Sequence, residues 1–165
     1  MQKLTLTFQN TNGSIPVICF PLTSGKSIYA IVDTGSDITI YDATAKEKYP
    51  EVILRSKAMG TCNVIGVNSE SEMEVIISGI KLDIQCETEE SLAVKFVACE
   101  HKDFCTRMKP LIEREGIEES VPLLIGSDTL TRFNAKIDMK KKAICLTILK
   151  SKKKDKKESV SLPYL

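Results

Sequence analysis

The chain is poor in several kinds of signal. It has no run of 18 apolar residues, so no segment is expected to span a membrane. Its opening, MQKLTLTFQN, has no long apolar stretch and no small-residue cleavage site, which leads to the expectation of a cytoplasmic protein. Histidine occurs once, and none of the six cysteines forms a C-x-x-C pair. Cys99, His101 and Cys105 give a C-x-H-x-x-x-C spacing, but there is no second cluster and no other histidine. Neither a metal nor a cofactor is therefore expected. Five of the six cysteines lie in or beside strand-like runs, which reads as small buried hydrophobes in a reducing compartment. No internal repeat and no second domain can be found.

What is present describes a globular protein. The 165 residues fit one domain and are enough to bury a core without staples. Apolar residues make up 42% and charged residues 27%, the balance of an ordinary globular domain. Net charge is only +1, but Lys150 to Glu158 places six lysines against Asp155 and Glu158. The domain is expected over residues 1–149, with 150–165 as a flexible Lys-rich tail. The tract could also dock a polyanion, although without interleaved aromatics nucleic acid is not the expected partner.

Period-two alternation dominates the core region. It runs through Leu4, Leu6 and Phe8, then Ile15, Val17 and Cys19, then Ile28, Ala30 and Val32. It returns in Met73, Val75 and Ile77, in Ile80, Leu82, Ile84 and Cys86, in Leu92 to Ala98, and in Ile144 to Ile148. Gly13, Gly25 and Gly79 fall between runs, where turns are expected. Helical segments are few. Asp42 can cap Ala43 to Lys48, which Pro50 ends. Phe104, Met108, Leu111 and Ile112 share a helical face that Gly116 stops, with Pro110 as a point of division. Ser127 or Asp128 can cap a last short helix.

One stretch carries chemistry. In AIVDTGSDITI, Ala30 to Ile40, an apolar strand delivers Asp33 at its end and a second apolar segment leaves. Gly35 allows a tight loop, and Thr34 supplies a hydroxyl that can lock it. A carboxylate at the mouth of a β core suits catalysis; a surface turn closed by an Asx-type hydrogen bond is the alternative. Farther on, VPLLIGSDTLTRF (Val121 to Phe133) reads as a buried strand ending in Gly126, then a capped helix. NAKIDMKKKAICL (Asn134 to Leu146) reads as strand, Lys-rich turn and strand.

This order resembles the retropepsin-like aspartic proteases, the retroviral proteases and their cellular relatives. The resemblance rests on Ala30 to Ile40, Leu123 to Leu130 and Ala135 to Lys140, and covers about Leu4 to Ile148. It implies a mostly β, retropepsin-like acid protease fold: a closed, barrel-like domain with a flap hairpin and one or two short helices. It also implies an endopeptidase that acts as a homodimer on a peptide or protein substrate. Asp33, Thr34 and Gly35 would be the catalytic loop, with Asp33 of a second chain as the other carboxylate.

Substrate would be held by Ser36, Asp37, Met59, Gly60, Thr61, Ile125 and Gly126. The flap candidate is KAMGTCNVIGV, Lys57 to Val67, with Gly60 near its tip and Gly66 as another hinge; an ordinary hairpin is the alternative. Ser36 stands where retroviral members carry Ala. Its hydroxyl can donate to the carboxylate and favour an acidic pH optimum, or can merely stabilise the turn. Asp37 matches a residue that in retroviral members meets an Arg after the glycine, but Ser127 follows Gly126 here. Ile125 can be a subsite wall or plain core. Asp128 and Asp138 read as a helix cap and a turn acid. The spacing from Asp33 to Gly126 has an excess around Glu87 to Ser120. Strands for a dimer could come from Lys3 to Phe8 and Ser159 to Leu165. Two other functions remain: a catalytically silent dimeric module that binds extended peptides, and an interaction protein acting through its Lys-rich tail.

Overall fold

The computed structural model describes residues 1–10, 14–66, 69–88 and 90–149, without the side chains of 62–66 and 69–73. Gly13, Val67 and the Lys-rich tail, with the strand expected at Ser159 to Leu165, lie outside the described residues. Ten strands and three helices follow in the order β1 (Gln2–Thr7), β2 (Val17–Pro21), β3 (Ser27–Val32), β4 (Ile40–Asp42), α1 (Ala45–Lys48), β5 (Ile53–Gly66), β6 (Ser69–Gln85), β7 (Ser91–His101), α2 (Phe104–Arg114), β8 (Leu123–Ile125), α3 (Ser127–Arg132), β9 (Lys136–Asp138) and β10 (Ala143–Ile148).

The strands form two sheets. One has the order β1-β10-β9 and the other β2-β3-β8-β4-β7-β6-β5. The expected closed barrel is absent. Among the described residues the seven-stranded sheet ends in β2 on one side and β5 on the other, and these edges do not pair, although just past β2 a single bridge joins Leu22 to Ile84 of β6. The terminal strands make their own small sheet instead of bridging the gap. The three helical segments read from the residues are present as α1, α2 and α3, one more than the upper figure that the resemblance implies.

The centre of the large sheet is buried on both faces. Ala30, Val32, Leu123, Ile125 and Tyr41 point into the main core, together with Ile80, Val94, Phe96 and Ile144. Val17, Ile31 and Leu124 point the other way, where Phe104 and Ile112 of α2, with Ile117 and Val121, cover them. A strand buried on both faces reads as a continuous apolar run, which explains LLI and the end of SIYAIV. It also explains β2, where Ile18 and Phe20 enter the main core while Val17 enters the second. The stretch from Glu87 to Ser120 thus holds β7 and α2, and α2 packs on the back of the Asp33-bearing strands.

Two glycine readings divide. Gly25 makes a turn at φ +86°, as expected. Gly79 does not: it pairs with Arg55 and Val97 inside the continuous β6. The apolar phase switches there, from Val75 and Ile77 to Ile80 and Leu82, so one strand presents two alternating patterns. Pro110 likewise does not divide α2, which runs through it.

Asp42 is fully buried and serves two elements. Its Oδ1 accepts Thr44 N–H at 2.8 Å and the Thr44 hydroxyl at 2.6 Å, and its Oδ2 accepts Cys105 N–H at 2.8 Å. It thus closes the turn before α1, whose N-cap is Thr44, and caps the first turn of α2. Burial alone would raise its carboxyl, but the hydrogen bonds from Thr44 and Cys105 outweigh it and hold it below the usual carboxylate range.

Candidate functional site

Parallel pairing of β3 with β8 aligns Val32 with Ile125, and Asp33 N–H extends the ladder to Ile125 O at 3.0 Å. Asp33 and Gly126 therefore leave adjacent strands side by side. The chain then turns back: Ser36 N–H reaches Asp33 O at 3.3 Å, and Gly35 N–H reaches Asp33 Oδ1 at 2.9 Å. Asp33 is half-buried, and Thr34 and Gly35 are exposed. The Asx-type bond of an ordinary turn is thus present, on a carboxylate that still reaches the surface.

Gly126 lies directly beneath this loop. A Cβ there would run into the backbone carbonyl of Ile38 and come within 2.9 Å of Ser36 O. These are backbone atoms, so relief would need the loop itself to shift. The close approach lets Ser127 N–H donate to Ser36 O at 2.7 Å. Gly126, rather than Ser127 or Asp128, is the N-cap of α3.

Beside this contact lies a second clasp, built on Thr39. Its hydroxyl donates to Asp128 Oδ1 at 2.7 Å, accepts Gly126 N–H at 3.1 Å, and lies 2.6 Å from the Thr129 hydroxyl. Thr39 N–H donates to Asp128 Oδ2 at 3.2 Å. Asp128 also accepts Thr129 N–H at 2.7 Å. Thr39 and Thr129 are buried, so these bonds are shielded from water and are stronger for it. Asp128 is therefore more than the expected helix cap: it ties α3 to the segment leaving the Asp33 loop. One signal of this was available in the sequence, a polar residue flanked by Ile38 and Ile40, because a buried hydroxyl needs a partner.

Other expected site residues are placed as follows. The Ser36 hydroxyl donates to Ile38 O at 2.8 Å, the turn-stabilising alternative. Donation to Asp33 is not seen, so the pH shift expected from Ser36 loses its structural basis. Ile125 is in the main core, only 4% exposed, the plain-core alternative. Asp37 is exposed and faces an open cleft of about 550 Å³ shared with Val97, Asp128 and Arg132. Arg132, at the end of α3, is the arginine that lines the same cleft as Asp37. Asp138 acts as the expected turn acid, accepting Lys141 N–H at 2.8 Å.

Met59, Gly60 and Thr61 are exposed on β5, which among the described strands pairs with β6 alone. Gly60 is not near the hairpin tip. It sits inside β5 at φ +110°, where the register with β6 shifts between Ala58 and Thr61. Gly66 pairs with Ser69 at the far end. A positive φ suits glycine, and the shift marks a bulge rather than a turn.

Among the described residues no three His, Cys, Asp or Glu side chains converge as a metal site. His101 Nδ1 accepts Asp103 N–H at 3.2 Å, and the Cys105 thiol donates to Val121 O at 3.6 Å. No helix among the described residues is long and apolar enough to cross a membrane.

No protein-family model matches the chain, and no curated protein matches it. Solved structures do. EIAV protease complexed with the inhibitor HBY-793 superposes with a TM-score of 0.44 at 11% identity, over 78% of this chain and 97% of that one. A retropepsin-like aspartic protease from Rickettsia conorii gives 0.43 at 16%, over 88% and 99%. The retroviral protease-like domain of Ddi1 from Leishmania major gives 0.40 at 15%, over 85% and 82%.

Proposed function

We propose that the chain is an aspartic endopeptidase that works as a homodimer on peptide or protein substrates. The observation that carries this reading is the placement of Asp33: a half-buried carboxylate at the end of β3, on a loop clasped by Gly126 and Thr39. Each subunit contributes one Asp33. Two carboxylates about 3 Å apart do not both ionise, so the pair holds one proton. The ionised Asp33 takes a proton from water as that water adds to the scissile carbonyl. The protonated Asp33 stabilises the oxygen that becomes negative. The C–N bond then breaks and a proton goes to the leaving amine, giving an acid and an amine.

Within this reading, Thr34 and Gly35 complete the catalytic loop. Ser36 and Gly126 shape its floor, and Asp37 accepts a substrate N–H at the cleft it shares with Arg132. The β5–β6 hairpin is the flap, with Met59, Gly60 and Thr61 facing the peptide. Among the described residues β1 has a strand partner on one side only, and its other side is assigned to a subunit contact. Residues 1–149 form the protease domain and 150–165 an appended tail. The chain is assigned to a reducing, cytoplasmic compartment, where its scattered cysteines serve as small apolar side chains.

A second reading has a specific observation in its favour. Among the described residues no strand pairs with the outer side of the 14-residue β5, and such an edge suits strand addition by a catalytically silent peptide-binding module. Asp33→Asn separates the two. Wild type and variant are assayed on a peptide library from pH 3 to 8, with sedimentation of both. Cleavage by the wild type alone, by a dimer, is the expected result. Cleavage retained in Asp33→Asn defeats the peptidase mechanism.

A further inference from the structure

A chain of polar side chains holds the root of the β5–β6 hairpin, and the proposed chemistry does not use it. Ser56 and Ser78 face each other across the two strands, with hydroxyls 2.7 Å apart. Ser78 Oγ lies 2.7 Å from the Tyr41 hydroxyl, which donates to Glu100 Oε2 at 3.2 Å. Lys46 Nζ donates to the same oxygen at 2.7 Å and sits 5.9 Å from the Tyr41 ring centre. A phenol has one proton. With that proton on Glu100, Ser78 must donate to Tyr41 and Ser56 to Ser78. The relay therefore has a single direction, from hairpin to carboxylate. Tyr41 and Ser78 are both 0% exposed. Burial raises the Tyr41 phenol, against the Ser78 bond and Lys46 and with Glu100, so it stays a donor.

The position of Tyr41 gives the relay its meaning. β4 is the strand that leaves the Asp33 loop, and it lies between β8 and β7. Ser78 is in β6, Ser56 in β5 and Lys46 in α1. Beyond Ser56 the hairpin register shifts at Met59–Gly60. A second shift lies on the other side, between Ile53 and Arg55, so the Ser56–Ser78 link pins a short regular stretch between two points of give.

We propose that Tyr41 is a positioning residue: through Ser78 and Ser56 it fixes the hairpin root against the strand leaving Asp33, and so sets how the hairpin holds a peptide over that loop. The part concerning the peptide rests on the peptidase reading above; the anchoring itself does not.

The test compares wild type with Tyr41→Phe and Ser78→Ala. Tyr49→Phe is the control, because Tyr49 is another buried phenol whose hydroxyl donates elsewhere, to Ser27 O at 2.8 Å. Amide hydrogen exchange is read first. In both Tyr41→Phe and Ser78→Ala, amides of 55–58 and 76–79 are expected to exchange about tenfold faster, with those of β1 and β10 unchanged. Tyr49→Phe should leave the hairpin as it is. No change in the hairpin, or an equal change in β1 and β10, overturns the anchoring. Peptide kinetics come second. Tyr41→Phe is expected to raise KM about fivefold while kcat changes less, the signature of lost binding common to ground and transition states. An unchanged KM, or the same rise in Tyr49→Phe, overturns the link to substrate. A wild type without peptidase activity defeats the peptidase reading and leaves the exchange result to decide the anchoring.

Discussion

Replacing Thr39 with Val tests the clasp on the Asp33 loop with almost no change of shape. The hydroxyl it removes has three partners: Asp128 Oδ1, the Thr129 hydroxyl and Gly126 N–H. Asp128 keeps its bonds from Thr39 N–H and Thr129 N–H, so its charge stays compensated. Gly126 N–H is left buried without an acceptor, at about 1–3 kcal/mol. The lost charge-assisted bond to Asp128 adds about 1.5 kcal/mol. The expected destabilisation is therefore about 3 kcal/mol, a large share of a domain stability of about 5–15 kcal/mol. For a domain of this size each kcal/mol lowers Tm by about 2–4 °C, so Tm should fall by roughly 10 °C. Urea unfolding should show a lower midpoint at unchanged m. Thr39→Ser, which keeps the hydroxyl and loses one methyl, should cost about 1 kcal/mol. A Thr39→Val loss below about 0.5 kcal/mol, or one no greater than that of Thr39→Ser, would refute the view that this hydroxyl holds the loop.

Two further predictions concern positions where one residue type is required. Gly126→Ala should destabilise by about 2–4 kcal/mol in the same urea assay, because the new Cβ meets backbone and the Ser127–Ser36 bond is disturbed; a neutral result would show that the loop yields freely. Asp42 has a folded-state carboxyl held below its unfolded value, so its contribution is fully present above the unfolded pKa, near 4, and is lost as pH falls through the lower folded value. The stability gap between wild type and Asp42→Asn should therefore be about 2 kcal/mol at pH 7 and shrink below pH 4, and a gap that widens on acidification would contradict the hydrogen-bond account.

The parts of the fold that were legible in the sequence are those made by neighbours in the chain. The strand Leu123–Ile125, the helix after Gly126 and the final hairpin β9–β10 each announce themselves by an apolar run and an adjacent turn or cap. The stop of α2 at Gly116, with φ +76°, was equally local. What was not legible depends on partners far along the chain. The switch of apolar phase at Gly79 looks like a turn unless Arg55 and Val97 are known to pair there. The barrel was implied by the resemblance alone, and alternation could not correct it, because it reports which face is buried, not whether the last strand meets the first. Asp42 reads as a cap for the segment beside it, and its bond to Cys105 spans 63 residues.

At the site the division is the same, and it falls inside one loop. Asp33, Thr34 and Gly35 are conspicuous because the three together suggest chemistry. Their geometry, however, is set by residues outside the triplet. A short hydroxyl in a tight loop tends to find the nearest backbone carbonyl, so Ser36 bonds Ile38 O and not the Asp33 carboxylate three residues before it. No Arg follows Gly126, and the arginine that lines the same cleft as Asp37 is Arg132 of α3. Most of the restraint comes from Gly126, Thr39 and Asp128, which bring α3 and the loop into contact across 87 to 90 residues of chain. A carboxylate that must act on water needs this kind of backing, since a displacement of about 1 Å can cost a hundredfold in rate. The variants that separate support from chemistry are therefore Thr39→Val and Asp33→Asn taken together. The first should cost stability and activity at once, and the second should cost activity while leaving the clasp, and hence the unfolding midpoint, nearly where it was.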